Sequence, residues 1–162
     1  MVTRSLSNQM MLRRALAYPC DVKSALLVTV VASWYLVGLS MTIGLVVYPS
    51  FDLVNESRWT AFHRHHVARI TWAVGAPWSA QALGLVWWFS RLQHGISVAW
   101  WLCAASAAAS VAITVTRAVP LHNRLHSVFD PRVAQALRHA HWMRTVCWSL
   151  AAAAATAGLS ST

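Results

Sequence analysis

The sequence predicts an all-α protein, a bundle of four transmembrane helices with a polar, histidine-rich end. Its 162 residues are 57% hydrophobic and only 10% charged, whereas an ordinary soluble domain is roughly 25% charged. Four segments have the ~20 apolar residues that cross a hydrocarbon core, at 24–48, 67–90, 97–119 and 139–159. Seven of the eight histidines lie near the edges of these segments.

The first two spans are bounded and shaped by proline. A basic N-terminal segment, residues 1–23, precedes the transmembrane domain, residues 24–160. The first span ends near Tyr48-Pro49, because proline cannot continue a helix. The second carries Pro77, which a membrane helix tolerates when its neighbours satisfy the freed carbonyl. It also carries Gln81, whose amide we expect to hydrogen-bond across helices.

Tryptophan, aspartate and alanine define the last two spans. Trp87-Trp88 closes the second span and Trp100-Trp101 opens the third, as in the aromatic belt at a membrane interface. The longest loop follows Pro120. Asp130 and Pro131 then suit the cap and first position of the last helix. The alanines at 151–155 allow this helix to approach its neighbours closely.

The basic charge favours a membrane over a nucleic acid. The formal net charge is +9, but the arginines flank apolar spans, where they meet lipid head groups. A nucleic-acid partner needs a basic face on a soluble scaffold, so we expect none. We expect a multi-pass integral protein of a bacterial inner membrane, with the lipid bilayer and other membrane proteins as partners. The arginine count of the loops weakly favours a cytoplasmic position for the first and third loops.

Four spans place the first and third loops on one side of the membrane, which we call the histidine end. His63 and His66 are three residues apart, so on a helix they share a face and can reach one metal ion. His122 and His126 are four apart and do the same if their segment is helical. We expect an imidazole of His63 or His66 within roughly 10 Å of His122, because packed helices lie about 8–10 Å apart.

Imidazole ligands suit iron, copper or zinc, and Asp52, Glu56 or Asp130 could complete the coordination sphere. Two histidines on separate helices could instead hold a haem iron inside a four-helix bundle. A third interpretation needs no cofactor: the histidines then bind head groups, water and backbone carbonyls. The sequence contains no nucleophile motif, phosphate-binding loop or dinucleotide fingerprint.

Two arginines accompany the histidines. Arg69 lies one turn beyond His66, and Arg144 lies inside the last span. A buried guanidinium requires an acidic partner or a ligand, so we expect Arg144 to face the bundle interior and to meet Asp52, Asp130 or an anion. Either arginine then orients the site or stabilises negative charge; the alternative is an ion pair that only locks the helices.

The order of motifs along the chain resembles that of a known group. The motifs are Tyr48-Pro49, Phe62-His63-x-x-His66-x-x-Arg69, Pro120-Leu121-His122-x-x-Leu125, Phe129-Asp130 and Trp142-x-Arg144-Thr145-x-x-Trp148. This set resembles small four-span bacterial integral membrane proteins of unknown function and, more loosely, anthrone-oxygenase-like membrane proteins. The resemblance implies a site made of His63, His66, Arg69, His122 and Arg144.

The favoured hypothesis is therefore a membrane protein with a metal or haem site and an oxidoreductase-like role on a lipophilic substrate. His63, His66 and His122 would bind the cofactor, with His126 as a further metal ligand. Arg69, Arg144, Asp52 and Asp130 would support catalysis. The alternative function is a non-catalytic accessory subunit of a larger electron-transfer or photosynthetic membrane complex.

Overall fold

The computed structural model describes the backbone of residues 2–92 and 97–161, and the side chains of 21–92 and 97–161. Every regular element in these ranges is helical. Helix α1, Val2–Thr42, continues through a π-helical turn, Ile43–Val47, into a 3-10 turn, Pro49–Leu53. A second 3-10 turn, Glu56–Arg58, leads into helix α2, Trp59–Ser90.

The second half of the chain repeats this pattern, in which a long α-helix continues into a π-helical turn. Helix α3, Val98–Ile113, passes through a π-helical turn, Thr114–Ala118, into the short helix α4, Val119–Arg124. Helix α5, Pro131–Ser160, completes the fold. Thus α1 and α3 each end in a π-helical turn.

Local sequence signals explain where the helices begin and end. The 3-10 turn after α1 starts at Pro49, as the proline predicts. Asp130 caps α5, since its side chain accepts hydrogen bonds from the backbone N–H groups of Arg132 and Val133 at 2.8 and 3.3 Å. Helix α2 runs without interruption through Pro77. These three predictions are confirmed.

Helices α1 and α5 pack together as a central pair, with α2 against α1 and α3 against α5. Small residues make the contacts close: Ala151, Ala152 and Ala155 are completely buried, as the alanine-rich segment predicts. Gln81 donates a 2.9 Å hydrogen bond to the Ser33 hydroxyl and so links α2 to α1, as expected.

Within residues 21–92 and 97–161, two helical stretches are long and apolar enough to cross a membrane, Asp21–Leu53 and Val98–Arg124. Their most apolar windows are only 39% and 17% buried inside the protein, so most of this apolar surface faces outward. The other two predicted spans, 67–90 and 139–159, lie on α2 and α5, which are less apolar. The structure therefore establishes an all-helical chain with two candidate membrane spans.

Candidate functional site

The histidine end is assembled by the parts of the chain that follow the two π-helical turns. Tyr48 comes directly after the first turn, and His122 lies on α4 just beyond the second. His63 and His66 lie one turn apart near the start of α2, and His141 lies on α5. Because α2 packs on α1, and α4 and α5 lie against the same end, these side chains meet although they are far apart in sequence.

The imidazoles of His63, His66 and His122 lie side by side. Nε2 of His63 is 3.3 Å from Nδ1 of His122, and their ring centroids are 5.5 Å apart. The His66 ring centroid is 6.1 Å from that of His122. The prediction that His63 or His66 lies within roughly 10 Å of His122 is confirmed. His63 is only 1% exposed and stacks on Trp59 at a centroid distance of 5.3 Å.

Tyr48 joins these histidines to α5, although the sequence did not single it out as a site residue. Its hydroxyl is 3.5 Å from Nε2 of His122, and its ring centroid is 4.9 Å from that of His141. One consistent set of neutral tautomers has Tyr48 donating to Nε2 of His122, and Nδ1 of His122 donating to His63. The remaining nitrogen of His63, Nδ1, is buried without a hydrogen-bond partner among the described atoms.

His141 is a further histidine at this end, and it was not included in the site predicted from the sequence. It is completely buried, and its Nε2 lies 2.9 Å from the carbonyl oxygen of Ser40. Since a carbonyl only accepts, Nε2 carries the proton, and in the neutral ring Nδ1 is then the acceptor. That Nδ1 is buried with no partner in the described part of the chain. The spacing of three residues from Arg144 on one helix was the signal that could have identified it.

Arg144 faces the interior, as predicted, and is 8% exposed. Its guanidinium donates a long hydrogen bond of 3.4 Å to the Thr114 hydroxyl and lies 5.1 Å from the centre of the Trp148 ring. The predicted pairing with Asp52 or Asp130 is wrong. Asp52 is bound by Arg138 at 3.3 Å, and Asp130 is used as the cap of α5.

The other predicted site residues lie at the edge of this arrangement. Arg69 is exposed on α2. Helix α4 ends at Arg124, so His122 and His126 do not share a helical face, and His126 is exposed. Its ring still lies 6.5 Å from that of His63. Asp52 and Asp130 were predicted to support catalysis, but their side chains are engaged in the contacts given above.

Burial controls the protonation of His63 and His66. Burial, followed by the charge of nearby His126, lowers the pKa of His63. Burial, followed by the charge of His63, lowers the pKa of His66 to about 4. Both imidazoles are therefore neutral at pH 7 and keep a lone pair that can accept a proton or bind a metal. Nε2 of His66 is buried and has no hydrogen-bond partner among the described residues.

Across residues 21–92 and 97–161, no three or more histidine, cysteine, aspartate and glutamate side chains are arranged as a group that could hold a metal ion. In the structure, therefore, only the imidazoles of His63 and His122 are in direct contact with each other, and the imidazole of His66 lies beside them. Of the carboxylates that were predicted to complete the coordination sphere, Asp52 and Asp130 lie in other contacts. Any metal ion bound here would therefore be coordinated by imidazole nitrogens.

Comparisons with protein-family models, with curated proteins and with solved structures find no match to this chain.

Proposed function

We propose that the chain is a four-span integral membrane protein that binds one transition-metal ion through His63, His66 and His122. Support for the membrane comes from the outward-facing apolar surface of α1 and α3, because a soluble monomer rarely exposes apolar patches of more than a few hundred Å². Helices α2 and α5 are long enough to span the bilayer beside them. Their lower hydropathy is offset by polar contacts such as the Gln81–Ser33 hydrogen bond, which satisfy polar groups inside the bundle.

The observation that carries the metal proposal is the 3.3 Å distance between Nε2 of His63 and Nδ1 of His122. Two imidazole nitrogens on a tetrahedral ion, each about 2.0–2.1 Å from the metal, lie roughly 3.3–3.4 Å apart. The orphaned Nε2 of His66 stands on the same face of α2 as His63. A rotation of side chains, rather than a movement of helices, would bring the third nitrogen to the ion.

The same distance favours an ion over haem. A haem iron held between two histidines has a ligand on each face at about 2 Å, which separates the two nitrogens by roughly 4 Å with a flat macrocycle between them. The rings of His63 and His122 are in hydrogen-bond contact and leave no space for a macrocycle. Neutral imidazoles without carboxylate suit zinc, copper or iron rather than calcium or magnesium.

Metal analysis of the purified protein tests this proposal. Protein extracted in a non-ionic detergent and loaded with zinc should hold about one ion per chain. His63→Ala combined with His66→Ala should remove that ion, whereas the exposed neighbour His65→Ala should retain it. An unchanged metal content in the double variant, or no retained ion in the unaltered protein, would contradict the proposal. Equal insertion of all variants into membranes is the control, since insertion depends on the apolar spans.

A further inference from the structure

A long groove runs between α1 and α2 and reaches the histidine end. Its larger part has a volume of 620 Å³ and is lined mainly by apolar side chains, among them Val31 and Tyr35 of α1 and Trp72 and Pro77 of α2. A second cavity of 380 Å³ continues it towards His66. Ala73 lines both cavities, so they adjoin, and we call the two together the α1–α2 groove.

The groove opens outward over most of its length. Trp72 is 80% exposed and Val31 is 66% exposed, both on its walls. From Arg69 to Ala80, α2 rises by about 16 Å, which is roughly half the thickness of a hydrocarbon core. In the membrane arrangement proposed above, the outer side of the groove therefore faces acyl chains and its inner end faces the histidine site.

The inner end of the groove is mainly apolar, but Arg69 contributes a guanidinium to its lining. His65, His66 and Arg69 line the 380 Å³ cavity together with Val47 and Phe62. One wall of this cavity is formed by the π-helical turn at the end of α1, which contributes Val46 and Val47. Both cavities have volumes within the range of about 300–1,000 Å³ that is typical of sites for one small ligand.

Among the described residues, no carboxylate forms an ion pair with Arg69. The chain has four acidic residues: Asp21 is paired with Arg91, Asp52 is paired with Arg138 and Asp130 caps α5. The fourth, Glu56, forms no ion pair with Arg69 in the described part of the chain. A guanidinium at the end of an apolar groove, free of internal acids, offers a two-pronged donor to a carboxylate ligand.

We infer that the α1–α2 groove binds a single-chain lipophilic carboxylate, with its apolar chain along Val31, Tyr35 and Trp72 and its carboxylate at Arg69, beside His66. This inference rests on the proposed function, because it supplies a substrate class for the histidine site. His66 lines the groove and also belongs to the histidine group, so the head group of such a ligand would lie next to the proposed ion. The ligand would reach the site sideways from the bilayer.

Fluorescence quenching tests this binding directly. The probe is 9,10-dibromostearate, added to the purified protein in non-ionic micelles, and the signal is the quenching that disappears in Trp72→Phe. We expect saturable quenching of Trp72. Arg69→Gln should weaken the apparent affinity about tenfold, as for the loss of a charge-assisted hydrogen bond. Arg64→Gln, an exposed arginine on the same helix outside the groove, should change it less than twofold.

Two further comparisons separate specific binding from partition into the micelle. Ala73→Phe should block the groove and abolish saturable quenching, while the exposed Ala68→Phe should not. The methyl ester of the probe, which lacks the charge, should bind as weakly to the unaltered protein as the acid binds to Arg69→Gln. Equal effects of Arg64→Gln and Arg69→Gln, or equal binding of acid and ester, would overturn the inference.

The metal content of the same samples distinguishes the two proposals. If zinc is bound but saturable quenching is absent, the groove inference fails and the metal proposal stands. If quenching depends on Arg69 but no zinc is held, the metal proposal fails and the groove is a lipid-binding site alone. If both hold, cobalt in place of zinc should show an altered visible absorption spectrum when stearate is added, because the ligand then lies beside the ion.

Discussion

Replacing Gly44 by alanine would test the contact on which the histidine end depends. Gly44 lies in the π-helical turn of α1, where an added Cβ would stand 2.8 Å from the Trp142 ring and 3.0 Å from Nε2 of His141. Both neighbours belong to α5. Glycine is therefore needed at position 44, because only a hydrogen atom in place of Cβ allows α1 and α5 to approach this closely.

The expected cost follows from two terms. Overpacking a well-packed contact costs about 1–3 kcal/mol, and displacing His141 from the Ser40 carbonyl costs about 1 kcal/mol more. Gly38 provides a matched control on the same helix, because nothing lies within 4 Å of its added Cβ. Gly38→Ala should gain up to about 1 kcal/mol of helix propensity.

Thermal unfolding in detergent measures the difference between the two variants. For a chain of this size, 1 kcal/mol shifts Tm by about 2–4 °C, so Gly44→Ala should melt on the order of 10 °C below Gly38→Ala. Equal melting temperatures would refute the close packing of α1 and α5 at Gly44. Gly44→Ala should also reduce the metal content of the protein, whereas Gly38→Ala should leave it unchanged.

Three further measurements address the buried polar groups. The folded pKa of His66 is about 4, against an ordinary pKa of 6.5. The metal-free protein should therefore lose stability as pH falls from 6.5 to 4, by up to about 1.4 kcal/mol per pH unit. His66→Asn should flatten this dependence of stability on pH, and an unchanged slope would contradict the assignment. Trp59→Phe should cost about 1–3 kcal/mol in chemical unfolding, since it leaves a buried loop carbonyl without its 2.7 Å donor, while Trp72→Phe should cost less than about 0.5 kcal/mol. Arg144→Met should raise stability by about 1–4 kcal/mol, because it removes a buried charge that has no carboxylate partner. Arg91→Met, which breaks a half-exposed ion pair with Asp21, should lower stability slightly. A loss of stability in both variants would show that Arg144 has a bound counter-ion.

The helices were predictable because their signals are local. Pro49, Pro131 and the Asp130 cap mark helix boundaries wherever the rest of the chain lies, and a spacing of three residues puts His63 and His66 on one face of any helix. The meeting of His63 with His122 was also predictable, because successive antiparallel helices bring their first and third connections to the same end. In each case short-range chemistry or simple topology determines the result.

The partners of the buried groups were not predictable, because they depend on the rotation of one helix against another. Asp52 binds Arg138 rather than Arg144, although both arginines lie on α5 and differ by less than two turns. Tyr48 and His141 enter the site through the π-helical turn and the close approach at Gly44, and neither feature was predicted from the sequence.

The two π-helical turns have a consequence for how this chain can change in length. A π-helical turn accommodates about one more residue than the α-helical turn it replaces, so deleting a single residue within Ile43–Val47 would allow α1 to continue as a regular α-helix. The chain beyond the deletion would keep nearly the same rotational position around the helix axis, because the π-helical turn already holds the extra residue. A deletion within the α-helical part of α1 would instead rotate everything beyond it by about 100°, since an α-helix has 3.6 residues per turn, and Tyr48 would turn away from His122 and His141. A one-residue gap within Ile43–Val47 or Thr114–Ala118 should therefore be tolerated better than a gap in the α-helix that precedes it.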